Sequence, residues 1–178
     1  MNRKEKFKTL MEKVFAPEDV KRLTEELVDM GYFTAPASTR HHGDWEGGLF
    51  DHSYEVAKAL VDLTEKLSLK WEKPRSPHLV GLLHDLCKCD SYMITESGIE
   101  RNKDALPGHG DKSVAIAQDL LEKIGSSLTE EEELSIRWHM GAFDDRENWG
   151  AYGGACEKYP NVLYTHTADM IASSIVGI

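Results

Sequence analysis

Six residues of this 178-residue chain have types and spacing suited to chemistry: His52, His84, Asp85, His109, His139 and Asp169. Imidazole nitrogens and carboxylate oxygens together are donors for divalent cations of intermediate hardness. Successive members lie 32, 25, 30 and 30 residues apart, counting His84-Asp85 as one element, and each gap is about one helix plus a loop. Helices packed around a common centre can present one ligand apiece to a shared point. His84-Asp85 follows the apolar run Gly81-Leu82-Leu83, so two strong ligands emerge where a helix is most buried. Burying such a pair is costly unless it is coordinated or hydrogen-bonded. The two oxygens of Asp85 can bridge two cations, and a pair about 3.5–4 Å apart activates water and stabilises the entering and leaving oxygens of a phosphoryl displacement. Taken singly, each histidine reads as a core or capping residue; taken jointly, they read as a metal centre.

The elements that must carry these residues are helical. Asn2 to Phe15 places Phe7, Leu10, Met11, Val14 and Phe15 at amphipathic spacing. Pro17-Glu18-Asp19 opens a second helix to about Met30, and Gly31 ends it. Tyr32 to Gly48 has no period and many breakers, which predicts a loop. A third helix is expected from about Leu49 to Leu67. A fourth, nearly all-apolar helix is expected from His78 to about Lys88 and belongs at the centre. Tyr92 to Thr95 suggests a short hairpin. Further helices are expected from Lys112 to Ile124 with Asp111 as cap, from Glu130 to about Met140 behind a Thr129/Glu132 capping box, and from Val162 to Val176. Gly141 to Asn161 reads as a long functional loop. The fold class is therefore all-α, about seven helices, with residues 1–46 a helical extension and loop and 47–178 a single compact unit.

Composition narrows the partners. Eight histidines are about twice the ordinary share, and a formal charge of −10 is unlike a domain that spreads long nucleic acid over a basic stripe. No apolar run approaches the roughly 20 residues needed to cross a bilayer. Three unpatterned cysteines, and no secretory signal at Met1-Asn2-Arg3-Lys4, lead to the expectation of reduced thiols and a cytoplasmic location.

His52 in Gly-Gly-Leu-Phe-Asp-His-Ser, His84-Asp85 in Leu-Leu-His-Asp-Leu-Cys-Lys, His109 in Gly-His-Gly-Asp-Lys-Ser, His139 in Arg-Trp-His-Met-Gly and Asp169 in His-Thr-Ala-Asp-Met-Ile-Ala resemble the HD-domain metal-dependent phosphohydrolase superfamily. The resemblance spans about Gly47 to Ser174 and has the flavour of the HD domain of bacterial 3′-5′ exoribonucleases, although a freestanding acidic domain favours mononucleotides over RNA. It implies an HD-domain bundle in which His52, His84, Asp85 and Asp169 hold a first metal, and His109 and His139 complete a second site beside Asp85. It also implies catalytic roles for Asp85, in orienting the metals or accepting a proton, and for Lys88, in assisting the attacking water or the phosphate. Cys87 departs from the family's usual Gly. The cofactor is one or two divalent ions drawn from Mn, Fe, Ni, Co, Zn or Mg.

The expected activity is hydrolysis of a phosphate ester of a nucleotide or small phosphorylated metabolite. An HD-type di-iron oxygenase, or a nucleotide sensor without turnover, are the alternatives. Arg40, His41 and His42 could meet a phosphate from their loop, or form a solvated turn. Lys112 near a helix N-terminus could contact an anion, or be an ordinary surface lysine. His166 lies three residues before Asp169 on one helical face and is open between substrate contact, support of a ligand and packing. Trp149, Tyr152 and Tyr159 could stack on a base or fasten their loop. Cys87-Lys-Cys89 is read as packing rather than a thiolate site, His78 as ordinary, and the acidic run Glu130 to Glu133 as a helix start favoured by the macrodipole.

Overall fold

The computed structural model describes residues 1–41 and 43–178. His42 lies outside the described residues. Among them the chain forms eight α-helices and one two-stranded hairpin, so the expected all-α class holds.

Helix α1 (Arg3–Met11) starts at a capping box, the Asn2 side chain accepting from the Glu5 N–H while Glu5 reaches back to the Asn2 N–H. It stops at Met11 rather than the expected Phe15. Pro17 forces Ala16 into extended backbone, and the chain must leave the helix beforehand to arrive there. Helix α2 (Pro17–Asp29) has proline in its first turn and Gly31 in the left-handed region just past its end. The described residues of the segment before α3 lack regular helix or strand as expected, yet several of them lie in the core. Tyr32, Phe33, Ala35 and Ala37 are buried, and the Tyr32 hydroxyl donates to the Leu82 carbonyl.

Helix α3 (Gly48–Leu67) buries Leu49, Phe50, His52, Val56, Ala57 and Leu60 and packs along α4 (Ser76–Leu83), every one of whose apolar side chains is buried. Gly81 makes this crossing possible, because a Cβ there would stand 2.4 Å from the Ala57 Cα. The expected helix through Lys88 ends early. His84 caps it, Asp85 leaves the helical region at φ −110° and ψ 19°, and Leu86–Cys89 tightens into a 3₁₀ turn. In that geometry residues i and i+3 eclipse, which brings Lys88 over Asp85.

Strands β1 (Tyr92–Thr95) and β2 (Gly98–Arg101) pair antiparallel with Ile94 opposite Ile99, giving the hairpin its partner. Helix α5 (His109–Glu122) begins three residues before the expected Lys112. Gly108, left-handed at φ 104°, is its cap instead of Asp111, and its carbonyl accepts from the Lys112 N–H. Asp111 pairs with Arg137. Helix α6 (Glu130–Arg137) has the expected Thr129/Glu132 capping box but ends before Met140. Its acidic start does more than complement a dipole. Buried Glu132 accepts from Arg75 and Ser76 at the head of α4, and Glu131 from the Glu72 N–H and Asn161.

The expected loop Gly141 to Asn161 contains helix α7 (Trp149–Lys158). Its glycines and aromatics hide any helical period; tertiary contact supplies the missing stability, with Ala155, Tyr152, Cys156 and Tyr159 clustered on Trp138 and Val162. Helix α8 (Asn161–Met170) continues not as regular α-helix but as a wider π-helical stretch, Ile171–Val176. One apolar cluster runs from Phe7 and Leu27 through α3 and α4 to Ala168 and Ala172, so α1 and α2 share the core of the ligand-bearing helices. No helix among the described residues is long and apolar enough to cross a membrane.

Candidate metal centre

Five separate stretches of chain converge on Asp85. His52 comes from the second turn of α3, His84-Asp85 from the end of α4, His109 from the first residue of α5, His139 from just past α6, and Asp169 from the last turn of α8. A glycine again sets the approach of α5 and α6, since a Cβ on Gly110 would stand 2.2 Å from the Arg137 carbonyl oxygen.

The donor atoms form three overlapping groups. Those of His52, His84 and Asp169 lie within 4.8 Å of one another, as do those of His84, Asp85 and His139, and those of Asp85, Cys87 and His109. Nε2 of His109 is 3.0 Å and Nε2 of His139 3.4 Å from Asp85 Oδ1, while Nε2 of His84 is 3.4 Å from Oδ2. His52 Nε2 is 3.1 Å from Asp169 Oδ1 and 3.7 Å from Asp85 Oδ2. Except for His109, which is one-third exposed, these imidazoles are buried.

The opposite edges of the rings fix their tautomers. Nδ1 of His52 meets the main-chain oxygen of Ile178 at 2.9 Å, that of His84 the Gly81 carbonyl at 2.9 Å, and that of His139 the Ile136 carbonyl at 2.7 Å. Such oxygens only accept, so each Nδ1 carries a hydrogen, and in the neutral form of the ring the lone pair is then on the inward Nε2. Lone pairs facing carboxylate oxygens repel unless a cation lies between them. Buried His84 Nε2, without a hydrogen-bond partner among the described residues, is the plainest sign of this arrangement. Donors about 2.0–2.2 Å from one ion stand some 3–4 Å apart, the spacing seen here. The residues present therefore fit a divalent cation.

Charge at the centre is distributed asymmetrically. Burial pushes the Asp85 carboxyl up, but neighbouring positive charge, Lys88 foremost, outweighs it and holds the group well below the usual carboxylate range. Asp169 follows the same pattern: burial raises it, and positive charge on the His52, His84 and His139 side of the cluster brings it far down, whether a proton or a bound cation supplies that charge. Lys88 Nζ lies 2.8 Å from Asp85 Oδ2, and although burial opposes its charge, Asp85 raises its pKa. Burial, assisted by the Asp85 charge, pushes the Cys87 thiol up to about 12.

The remaining candidates stand further out. Arg40 and His41 are exposed, and the His41 N–H donates to Ser38 Oγ. Lys112 Nζ is held by Asp90 at 2.6 and 2.8 Å, outside the cluster. His166 Nδ1 donates to the His139 carbonyl at 2.8 Å, and its ring stands near Phe143 and Tyr152. The Tyr159 hydroxyl bonds Glu72 and Glu130, fastening the end of α7, while Trp149 is about half exposed. Cys87 does more than pack: its Sγ is 3.0 Å from His109 Nδ1. Its place between Asp85 and Lys88 was the only signal of that contact in the sequence.

This helical bundle and its histidine-aspartate cluster have the form of a metal-dependent phosphohydrolase domain. The family model described as HD domain matches residues 49–171, and the chain belongs to that superfamily. No curated protein and no solved structure matches it.

Proposed function

We propose that the protein is a metal-dependent phosphohydrolase that cleaves a phosphate ester of a nucleotide or small phosphorylated metabolite in the cytoplasm. The observation that carries this reading is the inward set of Nε2 atoms, gathered around Asp85 with their Nδ1 atoms committed to main-chain acceptors. His52, His84, Asp85 and Asp169 are the proposed ligands of one cation, and His109 and His139 join Asp85 at a second. Cations bound there supply Lewis acidity, lowering the pKa of a water and offsetting charge on the phosphoryl oxygens.

The chain's own residues do the rest. Asp85, ionised and shared between both halves of the cluster, fixes the two positions relative to each other. Lys88 keeps its proton against Asp85 Oδ2 and offers a fixed positive charge to the phosphate in the transition state. The main-chain oxygens behind His52, His84 and His139 keep the rings from turning as charge develops. His166, held by the His139 carbonyl, is a proposed substrate contact beside the exposed ring of Phe143. Arg40, His41, His42 and Lys112 are proposed as further, peripheral phosphate contacts.

Elemental analysis of the purified protein, followed by an anaerobic phosphatase screen of a nucleotide panel with each candidate metal restored, tests the reading. Release of phosphate or nucleoside with a restored metal is the expected result. Oxygen consumption with Fe²⁺ and no hydrolysis, or tight nucleotide binding without product, overturns it. Asp85→Ala is expected to lose both bound metal and turnover.

A further inference from the structure

We propose that Cys87 is a positioning residue for His109, so that the second half of the metal centre depends on a thiol. The proposal rests on the metal reading given above. Three imidazoles of the cluster lean on main-chain oxygens. His109 does not: its Nδ1 faces Cys87 Sγ at 3.0 Å, and it is the most exposed ring of the cluster's four histidines.

The thiol is itself fixed from both sides of its residue. The Cys87 N–H donates to Ser113 Oγ at 3.1 Å, and its carbonyl accepts from Ser91 Oγ at 2.7 Å. Ser113 lies four residues after His109, on the same face of α5. One face of that helix therefore grips both the main chain and the side chain of Cys87. A glycine at this position would keep the Ser113 bond and remove the atom that meets Nδ1. Sulfur accepts weakly, so with the hydrogen on Nδ1 donated to Sγ, the Nε2 lone pair of His109 faces Asp85 Oδ1 and His139 Nε2, each 3.0 Å away. A second cation would draw its nitrogen ligands from there.

Titration of metal-free wild-type protein, Cys87→Ala and Cys87→Ser with Mn²⁺, followed by equilibrium dialysis and electron paramagnetic resonance, separates the cases. Wild type is expected to take two equivalents and show a spin-coupled pair. Cys87→Ala should bind the first equivalent normally, which also reports that it is folded, and the second about 10–100-fold more weakly, leaving a single-ion spectrum. Cys87→Ser, whose hydroxyl can still accept, should recover part of the loss. Unchanged affinity for both equivalents in Cys87→Ala overturns the proposal. So does a thiolate-to-metal charge-transfer band in Co²⁺-loaded wild type, which would make Sγ a direct ligand. Wild type that stops at one equivalent overturns it while leaving a one-metal centre intact. Wild type that binds none removes the metal reading itself and this proposal with it.

Discussion

At the residue scale the proposed chemistry turns on the Lys88–Asp85 pair. The ammonium, its side chain only 13% exposed, stays charged because the buried Asp85 carboxylate sits 2.8 Å away. Removing the lysine while keeping bulk, as in Lys88→Met, should leave the imidazole ligands in place. Bound metal is expected to persist while kcat falls about 10²–10³-fold, the usual cost of deleting one donor aimed at developing charge. Metal analysis and steady-state kinetics on the same preparation check this; loss of metal along with rate would make Lys88 a support of Asp85 only. Two of the histidines, His84 and His139, are by contrast set from behind by atoms of their own neighbourhood. Gly81 and Ile136 each lie three residues before the ring they hold, so local helix geometry supplies the orienting carbonyl.

At the scale of elements, two glycine contacts set how closely the ligand-bearing helices approach. Gly81→Ala should force α3 and α4 apart at Ala57, since main-chain atoms cannot yield as a side chain can. Overpacking of this kind costs about 1–3 kcal/mol, measurable as a lower urea midpoint with an unchanged slope. A midpoint equal to wild type would show that the crossing has slack. Helix α1 is tied to α3 by a second device, the forked pair of Arg3 with Asp51, to which Trp45 also donates. Burial raises the Asp51 carboxyl, and the Arg3 and Trp45 hydrogen bonds outweigh it, so the folded pKa is lowered. The resulting stabilisation is present above the unfolded value of about 3.9 and is lost as pH falls through the folded value. Urea titrations of wild type and Asp51→Asn should therefore differ most near neutrality and converge on acidification below about pH 4. A gap that persists into acid would assign the effect to packing rather than charge.

Across the whole molecule, the centre joins five stretches of chain that share one core with α1 and α2. Without a cation the cluster holds inward lone pairs against carboxylates, so binding should stabilise the folded state as a unit. A ligand at 100 times its Kd adds about 2.7 kcal/mol, which for a domain of this size corresponds to a rise in Tm on the order of 5–10 °C. Calorimetry of chelator-stripped protein with and without Mn²⁺ measures it, and an unmoved Tm at saturating metal would count against coupling between site and fold. The net charge of −10 also reads differently at this scale, because two bound divalent ions would bring about four positive charges to the place where the proposed phosphate substrate docks.

The sequence by itself determined the helical class, the capping box that begins α6, and the histidines and aspartates that meet; the Asn2/Glu5 box of α1 came from the structure. Evenly spaced ligands at the ends of apolar helices admit few arrangements that bury them together. Local pattern was silent where tertiary contact decides. Helix α7 has no period to read and exists through its contacts with Trp138 and Val162. The 3₁₀ turn after His84 breaks an apolar run that reads as continuous helix, and it does so because Asp85 and Lys88 must face the same point. Tautomers, too, required coordinates, since only a carbonyl seen against Nδ1 says which nitrogen keeps its hydrogen. Cys87 is the clearest case: in sequence it is a small residue in a glycine's place, and only the docking of α5 on the turn after α4 puts its sulfur against His109.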